Sequence, residues 1–209
     1  IADCLDSISF CDEIIVIDAG KTPCTRGAGR NLAIKQARGE VIVVSDAGCI
    51  AHPDWVEKLT KPIINQTADV VAGFYNMQHP TAVSYYTGPY LGTMSHNINK
   101  QNFLPSSRSL AFTKKAWATV AGYPEAYKHA AEDLVFAQKL KEESSLKWKV
   151  EPKALVDWTP AHTWKKFFHD MSNHTKGNLE AGYTRHLKKN ASVVIRYAIG
   201  IPFFLGALV

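Results

Sequence analysis

Two aspartates in the first quarter of the chain stand where a ligand could reach them. Asp18 and Asp46 each follow a short apolar run, Ile14–Ile17 and Val41–Val44, and each is followed by Ala-Gly. Short continuous runs of β-branched residues are typical of strands buried on both faces of a sheet. In open α/β sheets, ligands bind outside the carboxyl ends of the strands. A turn or a helix cap explains either aspartate alone, but two identical strand ends favour one shared site.

The elements around these aspartates predict an α/β fold. Between the two runs, "RGAGRNLAIKQARGE" indicates a glycine loop that opens a helix ending at Gly39, so the unit is βαβ with a parallel sheet. Residues 76–107 show little periodicity and are expected to form long loops or irregular helix. Further helices are predicted in "PDWVEKLTKPII", "TKKAWATVAGYPE" and "AEDLVFAQKLKEES", and strands in "ADVVAGFY" and "KWKVEP".

Composition limits the class of protein. The 209 residues suit one domain of ordinary size, and 46% hydrophobic with 21% charged residues excludes a disordered chain. The net charge of +5 suits an anionic ligand or a membrane surface, and the absence of a basic run with interleaved aromatics argues against nucleic acid. The four cysteines form no CxxC pair, so a reducing, cytoplasmic setting is favoured over a disulfide framework.

The C-terminal part of the sequence has a different character. Residues 163–190 carry Trp164, Phe167, Phe168 and Met171 at helical spacing among many basic residues. Such a helix either lies on a membrane or packs, solvated, on the domain. The apolar run at 191–209 favours the membrane, although its uncharged part is too short to span a bilayer and is expected to continue. Since the chain also begins without methionine, we expect a piece of a longer protein.

Several segments, in order, resemble family 2 glycosyltransferases, which are inverting enzymes of the GT-A-type fold. "DEIIVIDAGKTPCT" is similar to the strand with the nucleotide-binding aspartate, and "GRNLAIKQARGEVIVVSDAG" to the stretch that ends at the metal-binding acids. "SLAFTKKAWATVAGYPE" resembles the element before a Gly-Gly-Phe-like turn, and "AEDLVFAQKL" the Glu-Asp motif of the base-bearing helix. The resemblance covers about residues 5–155 and lacks the family's first strand. It implies a Rossmann-related, mostly parallel sheet flanked by helices, with a C-terminal amphipathic helix and apolar tail.

The resemblance also implies a hexosyltransferase-type reaction, in which a sugar passes from a nucleotide diphosphate sugar to an acceptor hydroxyl. Asp133 matches the general base and Glu132 a residue that orients the acceptor or the loop; on their own, both would be interpreted as acids that favour the helix dipole. Asp18 matches the aspartate that binds the base or ribose. Arg30 matches an arginine near the nucleotide or its diphosphate, and Asp46 belongs to the donor site.

The expected metal site departs from the family pattern. Asp46-Ala47-Gly48 has glycine where the second acid of the Asp-x-Asp motif belongs. Mg²⁺ or Mn²⁺ is still expected, because one or two carboxylates with substrate phosphates and waters can hold Mg²⁺. His162 is a candidate further ligand, although a lone histidine is more often structural. Ser107 and Arg108 are candidates for the loop that contacts acceptor or donor phosphate, with a plain turn as the alternative.

The predicted organisation is a catalytic domain at 1–162, an amphipathic membrane-proximal segment at 163–190, and the start of a membrane segment at 191–209. The Gln-x-x-Arg-Trp motif of processive synthases is absent. The expected acceptor is a lipid-linked or envelope glycan precursor at the cytoplasmic face of a membrane. Two alternatives stay open: a non-catalytic domain that binds nucleotide sugars or serves as a scaffold, and a sugar nucleotidyltransferase.

Overall fold

The computed structural model describes residues 2–17, 24–94, 98–183 and 195 of the chain. The predicted α/β class is confirmed, with helices and strands alternating along most of the sequence. In chain order the elements are α1 (Ala2–Asp6), α2 (Arg26–Gln36), β1 (Val41–Val44), β2 (Cys49–Ala51), α3 (Trp55–Ile64), β3 (Val70–Met77), α4 (Ala82–Leu91), β4 (Leu110–Thr113), α5 (Lys114–Thr119), α6 (Glu132–Glu142), β5 (Trp148–Trp158) and α7 (Trp164–Glu180).

The strands form one mixed sheet in the order β1-β4-β3-β5-β2. Only β3 and β5 pair in parallel; β4 pairs antiparallel with both β1 and β3, and β2 pairs antiparallel with β5. The prediction of a mostly parallel sheet is therefore wrong for the described strands. β1, β3 and β5 do run in the same direction, but the short strand β4 lies between the first two and reverses both pairings.

The run Ile14–Ile17 is not a strand. It is an unpaired segment in which Ile14 and Val16 are 40% and 55% exposed, whereas a strand buried on both faces would hide them. Glu13 instead fastens this segment to the end of α2, where its carboxylate accepts hydrogen bonds from the Arg38 backbone N–H and side chain at 2.9 and 3.0 Å. The predicted βαβ unit is thus not formed among the described residues.

Helices cover both faces of the sheet, and each face has its own apolar cluster. Neighbouring residues of β3, Val70 and Val71, belong to separate apolar clusters because successive side chains point to opposite faces. The predicted helix α3 covers one face through Trp55, Leu59 and Ile63, which are spaced one turn apart. Helices α2, α5 and α6 cover the other face with a second set of buried residues: Ile34, Ala116, Phe136 and Leu140.

Helices α4 and α7 pack against each other at one side of the domain. The stretch 76–107, expected to be largely irregular, contains α4, which begins with a capping box between Thr81 and Ser84. The predicted amphipathic helix is α7, and it packs on the domain through α4 and the loop before α6. Among the described residues, none of the helices is both long and apolar enough to cross a bilayer. The apolar run at 191–209, apart from residue 195, lies outside the described residues.

Candidate functional site

Three predicted site residues meet in one ion-paired cluster. Arg30 donates from Nη1 to Glu132 Oε1 at 2.5 Å and from Nη2 to Asp46 Oδ1 at 2.7 Å. Glu132 is nearly inaccessible, with 4% of its side chain exposed, whereas Asp46 is 33% exposed and opens to solvent. Charge-assisted hydrogen bonds are stronger than hydrogen bonds between neutral groups, so they hold the three side chains in a defined geometry. We call these three residues, together with Asp133, the acidic cluster around Arg30.

The three ion-paired residues come from three different elements. Asp46 lies two residues beyond β1, Glu132 is the first residue of α6, and Arg30 lies in the second turn of α2. Thr25 caps α2 by accepting a hydrogen bond from the Ala28 N–H at 3.2 Å. Helix α6, distant in sequence, therefore meets the consecutive elements α2 and β1 where β1 ends. The prediction that two Asp-Ala-Gly strand ends share this edge stays a prediction. Asp18 lies outside the described residues.

A buried asparagine, which sequence reasoning missed, holds α2 in place. Asn31 donates from Nδ2 to the Tyr123 carbonyl and the Glu125 carboxylate, both at 2.8 Å. Its Oδ1 accepts from the Tyr123 N–H and from Trp117 Nε1, both at 2.9 Å. The amide thus ties α2 to α5 and to the turn that follows it. The signal was present, because Asn31 adjoins Arg30 in the quoted "GRN" stretch.

That turn depends on a glycine. Gly122 has φ +71°, which favours glycine, and a Cβ there would lie 2.7 Å from both Asn31 Oδ1 and Trp117 Nε1. The turn carries Tyr123, whose buried ring lies under the guanidinium of Arg30 at 5.4 Å from its centroid. Burial raises the pKa of Tyr123, so its hydroxyl stays protonated and shares a hydrogen bond of 3.0 Å with Ser107 Oγ.

Asp133, the predicted base, lies in the first turn of α6, next to the ion-paired Glu132. Its Oδ1 accepts from the Leu134 N–H at 2.8 Å, and its Oδ2 accepts a long bond of 3.4 Å from the Ser107 N–H. Burial raises the pKa of Asp133, and the charge of Glu132 raises it further, with Arg30 opposing the shift. The Asp133 carboxylate is therefore a stronger base than an exposed aspartate, which is the direction of shift that a general base needs.

The guanidinium of Arg108 packs on the rings of Trp158 and Tyr75. Its guanidinium carbon is 3.9 Å from the Trp158 ring centroid and 5.3 Å from that of Tyr75, and Nη1 donates to Ser106 Oγ at 3.2 Å. Its charge lowers the pKa of Asp133, opposing the effect of burial, which indicates that it lies near the acidic cluster around Arg30. The aromatic contacts, which the sequence did not predict, keep the side chain in place without neutralising it.

Helix α7 borders the same region. A Cβ on Gly177 would lie 1.6 Å from the Ala130 carbonyl oxygen, so the helix contacts the backbone just before Glu132. His129 Nδ1 and Glu180 Oε1 form a hydrogen bond of 2.5 Å at this junction. One turn earlier on α7, His174 is half-buried; burial lowers its pKa, and Arg108 lowers it further. Sequence analysis favoured a membrane for this helix and kept packing on the domain as the alternative; the structure shows that α7 contacts the domain.

The described residues offer little to a resident metal ion. They contain no group of three or more His, Cys, Asp and Glu side chains that could hold one. His162 is exposed in the link between β5 and α7, where its carbonyl accepts a hydrogen bond from Thr81 at 3.3 Å. Asp46 remains the candidate ligand, partly exposed and with one oxygen bound by Arg30. This donor set fits a cation that takes most of its ligands from substrate phosphates and water.

A family model matches the first part of the chain. The model of the family described as "Glycosyl transferase family 2" matches residues 1–112, more than half of the chain. A search of the curated proteins found no match.

Solved structures share the fold. S. aureus TarS 1-349 in complex with UDP-GlcNAc matches with TM-score 0.56 and 14% identity, over 79% of this chain and 56% of that one. The same protein in complex with UDP matches with TM-score 0.54 and 16% identity, over 82% and 59%. The chain thus spans less than two thirds of these structures, which at such identity show the fold alone. The family match, the GT-A-like sheet and the convergence of the motif residues lead to one conclusion: the chain belongs to glycosyl transferase family 2.

Proposed function

We propose that this chain is the catalytic domain of an inverting glycosyltransferase that moves a sugar from a nucleotide diphosphate sugar to an acceptor hydroxyl. The observation that carries the proposal is the ion-paired meeting of Arg30, Asp46 and Glu132 beside Asp133. Membership of family 2 supports it. The TarS complexes with UDP-GlcNAc and UDP make a UDP-sugar the first donor to test.

Asp133 accepts the proton in this reaction. As the acceptor oxygen attacks the anomeric carbon, its proton passes to the Asp133 carboxylate, and the bond from that carbon to the diphosphate oxygen breaks with its electron pair. Hydrogen bonds from the Ser107 and Leu134 N–H groups orient the carboxylate. Because attack and departure occur on opposite sides of the carbon, the configuration is inverted. Glu132, held by Arg30, keeps the start of α6 in position.

The arginines bind the leaving group. The donor diphosphate carries negative charge that grows as the sugar departs, and a forked guanidinium matches phosphate oxygens. Arg30 and Arg108 supply two such groups near the base. Mg²⁺ or Mn²⁺ bound with the donor, held by Asp46 with His162 as a candidate further ligand, would add to this neutralisation. Asp18 is proposed to bind the base or ribose.

The acceptor is proposed to be a lipid-linked or envelope glycan precursor at the cytoplasmic face of a membrane. Two features support this location: the apolar sequence at 191–209, and the aromatic residues that α7 exposes. Neither feature identifies the glycan itself.

Calorimetric titration of the full chain with UDP, GDP, dTDP and CDP, each with and without Mn²⁺, tests the donor site. We expect one nucleotide to bind selectively, and Asp46→Asn to weaken that binding about tenfold, as is usual when a hydrogen bond to a charged group is lost. Asp54→Asn is the matched control, because Asp54 is an exposed acid paired with Lys58 on α3. Absence of binding by all four nucleotides would refute the proposal.

Activity assays then separate the alternatives. Release of the nucleoside diphosphate from a sugar donor, with sugar appearing on an acceptor, is the expected result. Tight binding without turnover would instead establish a non-catalytic nucleotide-sugar-binding or scaffold domain, which the glycine at position 48 favours. Pyrophosphate release from a nucleoside triphosphate and a sugar phosphate would establish a nucleotidyltransferase.

A further inference from the structure

Helix α4 exposes an aromatic face that nothing in the described chain covers fully. The helix is AVSYYTGPYL and contains no charged residue. Its inner side is buried through Ser84, Thr87, Gly88 and Leu91. The outer side presents Tyr85, Tyr86 and Tyr90, which are 62%, 67% and 40% exposed. A solvent-facing helix side of a soluble domain usually carries charges, so this face is suited to an environment other than bulk water.

Helix α7 carries a second apolar stripe. Trp164, Phe168 and Leu179 are 55%, 65% and 57% exposed. With 3.6 residues per turn, these three side chains lie within about 60° of one another around the helix. Lys165 and Lys176 are exposed and follow directly at one border of the stripe, within about another 60°. The helix is therefore amphipathic outward as well as inward.

The two faces are joined by ring contacts. Tyr90 of α4 meets Phe167 of α7 at 6.4 Å between centroids, and Phe167 in turn contacts Trp164 at 6.1 Å and Phe168 at 5.4 Å. Tyr86 lies one turn before Tyr90 on α4 and contacts Tyr85 at 5.3 Å between ring centroids. The rings of both helices, linked through the partly buried Phe167, thus form one surface, bordered by lysines. We name it the α4–α7 aromatic surface, and it comprises Tyr85, Tyr86, Tyr90, Trp164, Phe167, Phe168 and Leu179.

We propose that the α4–α7 aromatic surface binds an anionic lipid bilayer. Trp and Tyr are the residues enriched at the boundary between headgroups and hydrocarbon, and basic residues flanking an apolar stripe bind anionic lipid. The net charge of +5 is complementary to such a surface. A protein partner fits less well, because lysine is depleted in protein interfaces.

The proposal rests on the proposed function in one respect, that the acceptor is presented by the bilayer. The α4–α7 aromatic surface extends along the outer side of α7 from Trp164 to Leu179. The last turns of the same helix contact the loop before α6, where Gly177 meets Ala130 and Glu180 binds His129. Bilayer contact along α7 therefore holds the residues that precede Glu132 and Asp133 close to acceptors carried by lipids.

Vesicle co-sedimentation of the full chain tests the surface. The lipids are pure phosphatidylcholine and an equal mixture of phosphatidylcholine and phosphatidylglycerol. We expect preference for the anionic mixture, and a loss of at least about 30-fold in Lys165→Glu/Lys176→Glu, because each basic residue near an anionic surface contributes about fivefold and each new glutamate is repelled. Trp164→Ser/Phe168→Ser and Tyr85→Ser/Tyr86→Ser should each lose about tenfold through reduced apolar burial. Matched controls are Lys61→Glu and Ile64→Ser on α3, which change residues of similar exposure elsewhere.

A second readout guards against binding by the apolar sequence at 191–209. Brominated lipids quench tryptophan that lies in the bilayer, so quenching should fall in Trp164→Phe and persist in Trp148→Phe. Unchanged quenching in Trp164→Phe, or variants that bind like their controls, would overturn the proposal. A fall in molecular mass of Trp164→Ser/Phe168→Ser by sedimentation velocity, without loss of lipid binding, would overturn it in favour of self-association.

Measuring nucleotide binding by the same variants distinguishes failure of the bilayer proposal from failure of the proposed function. The surface variants should bind nucleotide as the parent does, because none of the substituted residues belongs to the acidic cluster around Arg30. If the parent binds vesicles but no nucleotide, the proposed function fails while the bilayer surface stands.

Discussion

Replacing Arg30 with methionine should destabilise the fold, because Glu132 then becomes a buried carboxylate without its cation. Removing one partner of a fully buried pair typically costs about 3–5 kcal/mol. Here Asp46 is 33% exposed, and Glu132 keeps a hydrogen bond of 3.1 Å from the Ala131 N–H. These two features place the expected loss at about 2–3 kcal/mol, at or below the low end of that range. The measurement is the free energy of unfolding in urea.

A matched control separates the buried pair from an exposed one. Arg38 pairs with Glu13 at 3.0 Å, but 83% of the Arg38 side chain is exposed. Arg38→Met should therefore cost less than about 0.5 kcal/mol, as exposed pairs usually do. The double variant Arg30→Met/Glu132→Gln, which removes both charges, should recover about 1–2 kcal/mol relative to Arg30→Met alone. Equal decreases in the free energy of unfolding for Arg30→Met and Arg38→Met would refute the expectation that the buried ion pairs of Arg30 stabilise the fold more than an exposed pair does.

Three further predictions concern the base and the turn next to the cluster. Asp133→Asn should lower the transfer rate about 10²–10⁴-fold. Because the folded-state pKa of Asp133 is raised, stability from this group is present at low pH and lost as pH rises through that pKa. The neutral variant should therefore melt higher than the parent near neutral pH, with the advantage vanishing in acid; an equal or lower melting temperature near neutral pH would contradict this sign. Gly122→Ala should destabilise the fold more than Gly182→Ala. Both glycines have positive φ, +71° and +72°, but of the two only Gly122 has atoms within 4 Å of the added Cβ. Urea denaturation compares the two variants, and equal losses of unfolding free energy would mean that crowding at Gly122 plays no part. Asn31→Ala should cost about 3–4 kcal/mol in the same assay, since buried donors from Trp117 and the turn lose their acceptor, and a loss below about 1 kcal/mol would show that water replaces the amide.

Local pattern accounts for the elements that the sequence predicted. Helices α3 and α6 and strand β3 were found because their apolar periodicity extends over 8 to 11 residues. Strands β2 and β4, of three and four residues, were missed because neither carries the continuous run of β-branched residues that marks the equally short β1. Their positions decide that the sheet is mixed, since β4 enters between β1 and β3. Strand order depends on pairings between distant segments, which no local period encodes.

The candidate site shows the same division between residue type and geometry. Motif order indicated Arg30, Asp46 and Glu132 individually, but Arg30 and Glu132 are 102 positions apart and their ion pair has no signature in either segment. The role of Asn31 and the packing of Arg108 on the Trp158 and Tyr75 rings were likewise not predicted. Each depends on a tertiary contact between side chains whose types are common on any helix or loop.

The glycine that breaks the expected Asp-x-Asp motif has a backbone reason. Gly48 has φ +92°, a conformation that is costly for an aspartate, and no atom lies within 4 Å of the position a Cβ would take. The residue turns the chain from β1 into β2, which begins at Cys49 and pairs antiparallel with β5. The second acid is therefore replaced by a turn that extends the sheet. The guanidinium of Arg30 already neutralises the Asp46 carboxylate at this edge of the sheet. A cation entering with a diphosphate would therefore share Asp46 with that guanidinium.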